Sequence, residues 1–413
     1  MTSLQRLAAL VALSAICLSV HAQTPVDSLI KPQTPVPAAS HSSKWYDKIS
    51  LRGYAQFRYN RLLETNPDLR CEQCDRSIGQ NQGFSFRRSR LIFSGQLNPR
   101  FFAYIQFDYS ADASSTNKHF LQVRDAYFDQ AFDADQAWRI RVGQSKVPFG
   151  FENTQSSSNR LPFDRSDALN SGAPNERDFG VFGYYAPKKI RARFKRLLDE
   201  GLKGSGDYGV VAFGFYNGQG TNKPENNNNL HAVARISYPF QFKNGQIIEP
   251  GIQAYTGKYT LPKDQLSAGV KARKDPTYID RRIAASFVLY PQPFGILAEY
   301  NWGESPGFDA ATDSIQTRGL HGGFVTFSYQ THFGKKFKCM PYLRLQAYDG
   351  AKKHELDARY YQVRETEFGI EWPVSKNVEI SVAYAISHRK YQNLGVNYDE
   401  SGRFLRLQFQ ANY

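Results

Sequence analysis

Polar and apolar side chains alternate along most of this chain. In the segment that ends at Tyr413, Leu405, Leu407, Phe409, Ala411 and Tyr413 share one face, and Arg406, Gln408, Gln410 and Asn412 share the other. Successive side chains of a strand point to opposite sides, so this period of two predicts a strand with one oily and one wet face. The same parity holds for Leu51, Gly53, Ala55, Phe57 and Tyr59 against Arg52, Tyr54, Gln56, Arg58 and Asn60. It recurs at Phe101, Ala103, Ile105 and Phe107, and at Val378, Ile380, Val382 and Tyr384. Sixteen such segments can be counted, at about 49–61, 84–97, 101–110, 120–130, 137–144, 179–187, 207–217, 230–242, 247–258, 279–292, 294–303, 319–331, 338–348, 361–373, 378–390 and 402–413. Alternation alone fits a soluble sandwich as well as a barrel.

The connections decide between them. Asn98-Pro99-Arg100, Asp133 to Gln136, Lys243 to Gln246, Pro293 and Val374 to Asn377 are tight turns. Between them lie long polar links at 62–83, 144–178, 259–278 and 304–318. An even strand count with short turns at one end and long links at the other predicts an all-β fold. The class expected is a transmembrane antiparallel β-barrel of 16 strands, with short periplasmic turns and long extracellular loops, in the bacterial outer membrane. One inner link, 187–206, breaks the rule: it is long and basic and holds a candidate helix at 190–202. Aromatics gather at segment ends, among them Tyr59, Phe84, Phe101, Tyr109, Trp138, Tyr185, Trp302 and Trp372, as in the girdles of an interface. An aromatic Tyr413 after an alternating strand also fits the recognition signal of barrel assembly.

Composition agrees. Of 413 residues 41% are hydrophobic and 22% charged, with 30 Phe, 25 Tyr and 4 Trp, too polar for a helical membrane protein and too aromatic for a disordered chain. The longest apolar run, Leu7 to Val20, falls short of the about 20 residues that a spanning helix needs. With Arg6 before it and Val20-His21-Ala22 after it, it reads as a signal peptide over residues 1–22. A lipid-modified Cys17 fits poorly because Ile16 is bulky. Residues 23–44, rich in Pro, Ser and Thr, read as a flexible periplasmic tether, and 45–413 as the barrel domain. The net charge of +14 favours anionic partners. Outer-membrane lipid and small phosphate-like anions are the expected partners, with no nucleic acid.

Cys71, Cys74 and Cys339 follow the leader. Cys71-Glu72-Gln73-Cys74 is half of a zinc or redox motif, but no second CxxC or HxxxH accompanies it. A local disulfide between Cys71 and Cys74 in an exposed loop is therefore expected, with no metal and no cofactor. A barrel hydrolase would need a serine and a histidine on one wall. His231 and His388 have no serine in matching register, and His119, His321, His332 and His354 fall at strand ends or links. The chain does not read as an enzyme. Nor does a folded plug of about a hundred residues precede the first strand.

Phe86-Arg87-Arg88-Ser89-Arg90-Leu91 with Phe93-Ser94-Gly95, Phe107-Asp108-Tyr109-Ser110, and Arg141 to Gly150 (RVGQSKVPFG) resemble the phosphate-selective porin O and P family of outer-membrane porins. Arg52 to Arg58 and the stretches Ser156 to Arg160 and Asp164 to Ser166 are similar to it as well. The likeness covers residues 49–180 closely and the remainder by architecture. It implies a 16-stranded trimeric porin whose third outer loop folds inward and narrows the pore, nominating Lys146, Arg160 and Arg165 as constriction residues.

Parity sends Arg52, Arg58, Arg88, Arg90, Arg139, Arg141, Arg235, Arg344 and Arg406 into the lumen, with Asp108, Asp125, Asp129, Glu299, Glu367, Glu371 and Glu379. Arg58, Arg88, Arg90, Arg139 and Arg141 come from the first five segments, and guanidinium groups in a row can hand an oxyanion along. The same arginines could instead pair with Asp108, Asp125 and Asp129 and merely solvate the wall. The function expected is passive diffusion of small anionic solutes such as phosphate or polyphosphate. The alternatives are a general, weakly selective porin, or a structural or adhesive barrel with no open pore.

Overall fold

The computed structural model describes residues 44–413 apart from 72, 73, 76, 80–82, 111–119, 173–176, 335 and 336. The expected signal peptide, nearly all of the tether and His119 lie outside the described residues.

Sixteen strands follow one another around the sheet. The first eight are β1 Ile49–Leu62, β2 Ser85–Asn98, β3 Phe101–Ser110, β4 Phe120–Ala131, β5 Trp138–Lys146, β6 Arg177–Tyr185, β7 Val211–Tyr216 and β8 His231–Ser237, continued by Phe240–Gln241. Then come β9 Ile247–Thr260, β10 Thr277–Leu289, β11 Phe294–Asp309, β12 Ser314–Tyr329 with its extension Thr331–Phe333, β13 Phe337–Ala351, β14 Tyr360–Pro373, β15 Val378–Asn393 and β16 Val396–Asn412. Each pairs antiparallel with its neighbours in sequence, and β1 also pairs with β16, Tyr54 opposite Asn412 and Phe57 opposite Phe409. The sheet is closed. Closure leaves no open edge, so the wall's backbone groups find partners without water. No helix among the described residues is long and apolar enough to cross a membrane; strands make the crossing.

Burial follows the predicted parity, with the usual sense inverted. Leu51, Phe57, Ile252 and Phe409 face outward and are exposed, while Gln56, Arg58, Arg406 and Gln410 are buried inside. Apolar atoms outward suit lipid, and the polar interior suits a water-filled bore. Tyr413 lies across the seam: its N–H donates to Gly53 O at 3.0 Å, and its hydroxyl to Arg90 O at 2.9 Å. A Cβ on Gly53 would stand 2.2 Å from Arg90 O and 2.5 Å from the Tyr413 ring, so only glycine lets the terminal ring cover the backbone there.

One outer link differs from the sequence reading. Expected to be a long polar link over 304–318, it is mostly strand, because β11 runs to Asp309 and β12 starts at Ser314; β15 and β16 likewise extend past the segments read at 378–390 and 402–413, to Asn393 and from Val396. Hydrogen-bonded pairing continues into water where hydropathy no longer marks it. The inner link holds a helix, α1 Lys188–Asp199, two residues earlier than expected at its start and three at its end. Ile190, Phe194 and Leu197 form its buried stripe, packed with Ile247, Val288 and Tyr290 of the wall and with Phe151 inside the bore. Lys195 pairs with Asp199 at 2.5 Å, and Gly201 at φ +68° ends the helix in the left-handed conformation that glycine favours.

Replacing Gly53 by Ala should cost about 1–3 kcal/mol at the seam through the clash with Tyr413 and Arg90 O. The expected readout is a strand-dominated circular dichroism spectrum for both proteins, with heat-modifiable gel migration lost at a lower temperature in the variant. A mainly helical wild-type spectrum would contradict the fold.

Candidate functional site

The link from β5 to β6 does not stand out into solvent. It enters the bore and crosses it from wall to wall. At its near turn, Ser157 Oγ lies 2.6 Å from the Tyr54 hydroxyl, and Gln56 and Gln410 donate to the carbonyls of Ser157 and Ser158 at 2.9 and 3.2 Å. Further along, Asp164 sits among Arg58 at 3.1 Å, Arg87 at 3.3 Å and Arg406, while Arg344 donates to its carbonyl at 2.9 Å. The Phe163 ring lies beneath the guanidinium groups of Arg58 and Arg406, 5.0 and 4.8 Å from its centre. Asp167 is then held by Arg389 at 3.0 Å and Lys352 at 2.5 Å. Glu152 pairs with Arg344 at 2.9 Å, and the Glu299 carboxylate accepts the N–H groups of Phe151 and Glu152 at 2.6 and 3.3 Å.

Strands β1, β2, β11, β13, β15 and β16 thus all hold one loop. Burial alone would raise the Asp164 carboxyl, but Arg58, Arg406 and Arg87 outweigh it and hold it well below the usual carboxylate range. A depressed carboxyl keeps its contribution at neutral pH and loses it only in strong acid. The outer link before β2 joins the same network. Asp75 takes Arg58 at 2.7 Å and Arg406 at 3.4 Å, and Cys74 O accepts from Arg87 at 2.5 Å. Cys71 and Cys74 are joined as a disulfide. It is buried against Asp167 and Arg389 rather than exposed as expected, because these ion pairs draw the link into the bore.

The nominated cations fall into two groups. Arg58 is neutralised by Asp75 and Asp164, Arg90 by Asp108 at 3.1 Å, Arg139 by Asp207 at 2.8 Å, and Arg141 by a two-toothed pair with Asp129 at 2.7 and 2.9 Å. Arg88 donates to Gln56 Oε1 at 3.5 Å; Lys146 donates to the carbonyls of Thr154 and Gln155 at 3.0 and 2.7 Å; and Arg160 donates to those of Pro162 and Phe163 at 3.2 and 3.3 Å. Among the described residues no carboxylate comes within ion-pair distance of these three. Arg165 donates to Glu152 O at 3.3 Å. Burial pushes Arg160 down to about 10 even though Glu152 and Asp164 pull the other way. Burial, then Arg160 and Arg88, push Arg165 well below its ordinary value. Since guanidinium keeps its proton, the Arg160 direction reports the cost of burying its charge, which Glu152 and Asp164 offset only in part.

Parity missed several members. A bulge in β2 opposite Gln56 and Phe57 of β1 leaves Arg87 unmatched in the register and turns it toward the lumen beside Arg88, and a second in β4, opposite Gln106 and Phe107 of β3, turns Arg124 inward beside Asp125. Asp280 and Arg282 obey the parity of β10 and were legible from it.

Comparison with known proteins agrees with this geometry. The family described as "Phosphate-selective porin O and P" matches residues 67–413. The chain belongs to that family and is an outer-membrane porin. Among solved structures it is similar in fold to an anion-selective porin from Comamonas acidovorans, at 10% identity and a TM-score of 0.53, covering 88% of this chain and 99% of that one. It is similar also to Salmonella typhi OmpF in complex with daunomycin, at 14% identity and 0.52, covering 88% and 97%. Comparison with curated proteins by sequence gave no match.

Replacing Asp164 by Ala takes one carboxylate from Arg58, Arg87 and Arg406 and leaves them to share Asp75. It should lower stability by about 3 kcal/mol and free the loop, raising single-channel conductance and its flicker; unchanged conductance and noise would show that Asp164 does not clamp the loop.

Proposed function

We propose that this porin passes small anions of the phosphate class by passive diffusion, and that selection takes place where Arg88, Lys146, Arg160 and Arg165 come together. One observation carries the reading. Arg88, Lys146 and Arg160 have only neutral partners among the described residues, whereas Arg58, Arg90, Arg139 and Arg141 are neutralised by carboxylates. A narrow, low-dielectric passage strengthens the field of uncompensated charge, which attracts anions and turns cations away. Neutralised arginines shape the wall but add little to that field. The anion ladder expected from parity is thereby shortened to one cluster at the inserted loop.

A homotrimer is the accompanying inference. β7 and β8, with six and seven residues, are shorter than the about 9–11 residues a tilted strand needs to span the hydrocarbon, yet Phe213, Phe215 and Ile236 point outward there. A low, apolar sector of wall is best covered by another barrel. Residues 1–22 and 23–44 are proposed to act as export signal and tether.

In a potassium chloride gradient, replacing both Arg88 and Arg160 by Ala should lower the chloride-to-potassium permeability ratio by at least about threefold, while Arg141→Ala changes it little. Added phosphate should block chloride current less in the double variant. An unchanged ratio in the double variant would leave a general porin. Light scattering in mild detergent should give a mass near three chains, falling to one in Phe215→Glu; a monomeric wild type would end the trimer inference.

A further inference from the structure

Above the inserted loop, the lumen side carries a row of tyrosines that the anion pathway does not use. Tyr361 of β14 stands opposite Tyr391 of β15, which stands opposite Tyr398 of β16. Their rings follow one another at 4.9 and 4.4 Å between centres, the second pair nearly parallel at 11°. These positions lie beyond the lipid-facing part of the strands, near the outer hairpin of β15 and β16. Arg389, two residues below Tyr391, holds Asp167 of the inserted loop. A solute entering from outside meets the tyrosines before it meets the constriction.

The row borders a cavity of about 470 Å³, within the size range of small-molecule sites. Among the described residues its charged rim is balanced, with Arg70, Lys352 and Arg359 against Asp68, Glu355 and Glu400. Lys352 lies 4.4 Å from the centre of the Tyr361 ring, and the Tyr361 hydroxyl donates to Glu355. Arg359 lies 5.8 Å from the centre of the Tyr391 ring. A phosphate ion placed here would meet as many carboxylates as cations. A ligand with a flat apolar face, no net charge, and hydroxyls that both donate and accept would satisfy acids, bases and rings together.

That chemistry is a pyranose sugar. We propose that this vestibule cavity is a sugar-binding subsite, in which the ring of Tyr398, backed by Tyr391 stacked behind it, supplies the stacking surface and the alternating carboxylates and cations hold the hydroxyls. The proposal does not depend on the anion selectivity of the constriction.

Titration calorimetry on the full-length protein in detergent tests it, with glucose, galactose, N-acetylglucosamine and maltose each taken to about 100 mM. At least one sugar should bind in the millimolar range, and Tyr391→Ala and Tyr398→Ala should each weaken it at least about tenfold. Tyr391→Phe should keep it, as should Arg160→Ala, which separates this subsite from the anion cluster. Heat-modifiable migration shows that each variant is folded. No heat from any of the four sugars, unchanged affinity in both alanine variants, or displacement of bound sugar by equimolar phosphate would overturn the proposal.

Discussion

Charge neutralisation inside the barrel is the constraint on which the rest depends. A guanidinium or carboxylate removed from bulk water must find a partner of opposite sign or several hydrogen bonds, or the site does not hold together. Asp164 and Asp167 meet that demand for Arg58, Arg87, Arg406, Arg389 and Lys352, which reach in from β1, β2, β15 and β16 and from the outer link after β13. Wall and loop therefore specify each other. The arginines are costly to bury without the loop, and the loop has no apolar reason of its own to leave solvent.

This arrangement explains why one channel can be rigid and charged at once. Carboxylates of the wall and of the two inserted outer links neutralise most of the arginines. The inner helix adds apolar support from below, through Phe194 and Leu197 near Phe151, and the link that follows it adds the pair of Lys203 with Glu371. Gln155 and Asn159 donate to the carbonyls of Lys203 and Gly204 at 2.6 and 2.8 Å, so the inserted loop is held from the inner side as well. What remains among the described residues is a small excess of positive charge at Arg88, Lys146 and Arg160, whose partners are carbonyls and an amide. A rigid frame keeps those charges close, so their field falls on the passage instead of dispersing through moving side chains.

The barrel was legible in the sequence because a period of two survives wherever one face meets lipid and the other water. Strand number and the inward set headed by Arg58, Arg88 and Arg90 could be read from it, and the Cys71 and Cys74 bridge from the spacing of the two cysteines. The bulges that turn Arg87 and Arg124 inward could not, since one extra residue breaks parity without a composition signal. Nor could the pairing of Arg58 with Asp164, 106 positions away, or of Arg389 with Asp167. Those contacts depend on where a loop lands in space, and whether an arginine is neutralised depends on them. The long polar link expected at 304–318 is mostly strand because hydropathy marks the lipid boundary, whereas hydrogen bonding sets where a strand ends.

The account is tested most directly by a crystal structure of the protein soaked in bromide, an anion located by its anomalous scattering. It predicts bromide in the bore within contact distance of Arg88 and Arg160, with none displacing the Asp129 pair of Arg141 or the Asp108 pair of Arg90. Bromide spread evenly along all the arginines, or an inserted loop found outside the bore, would contradict it.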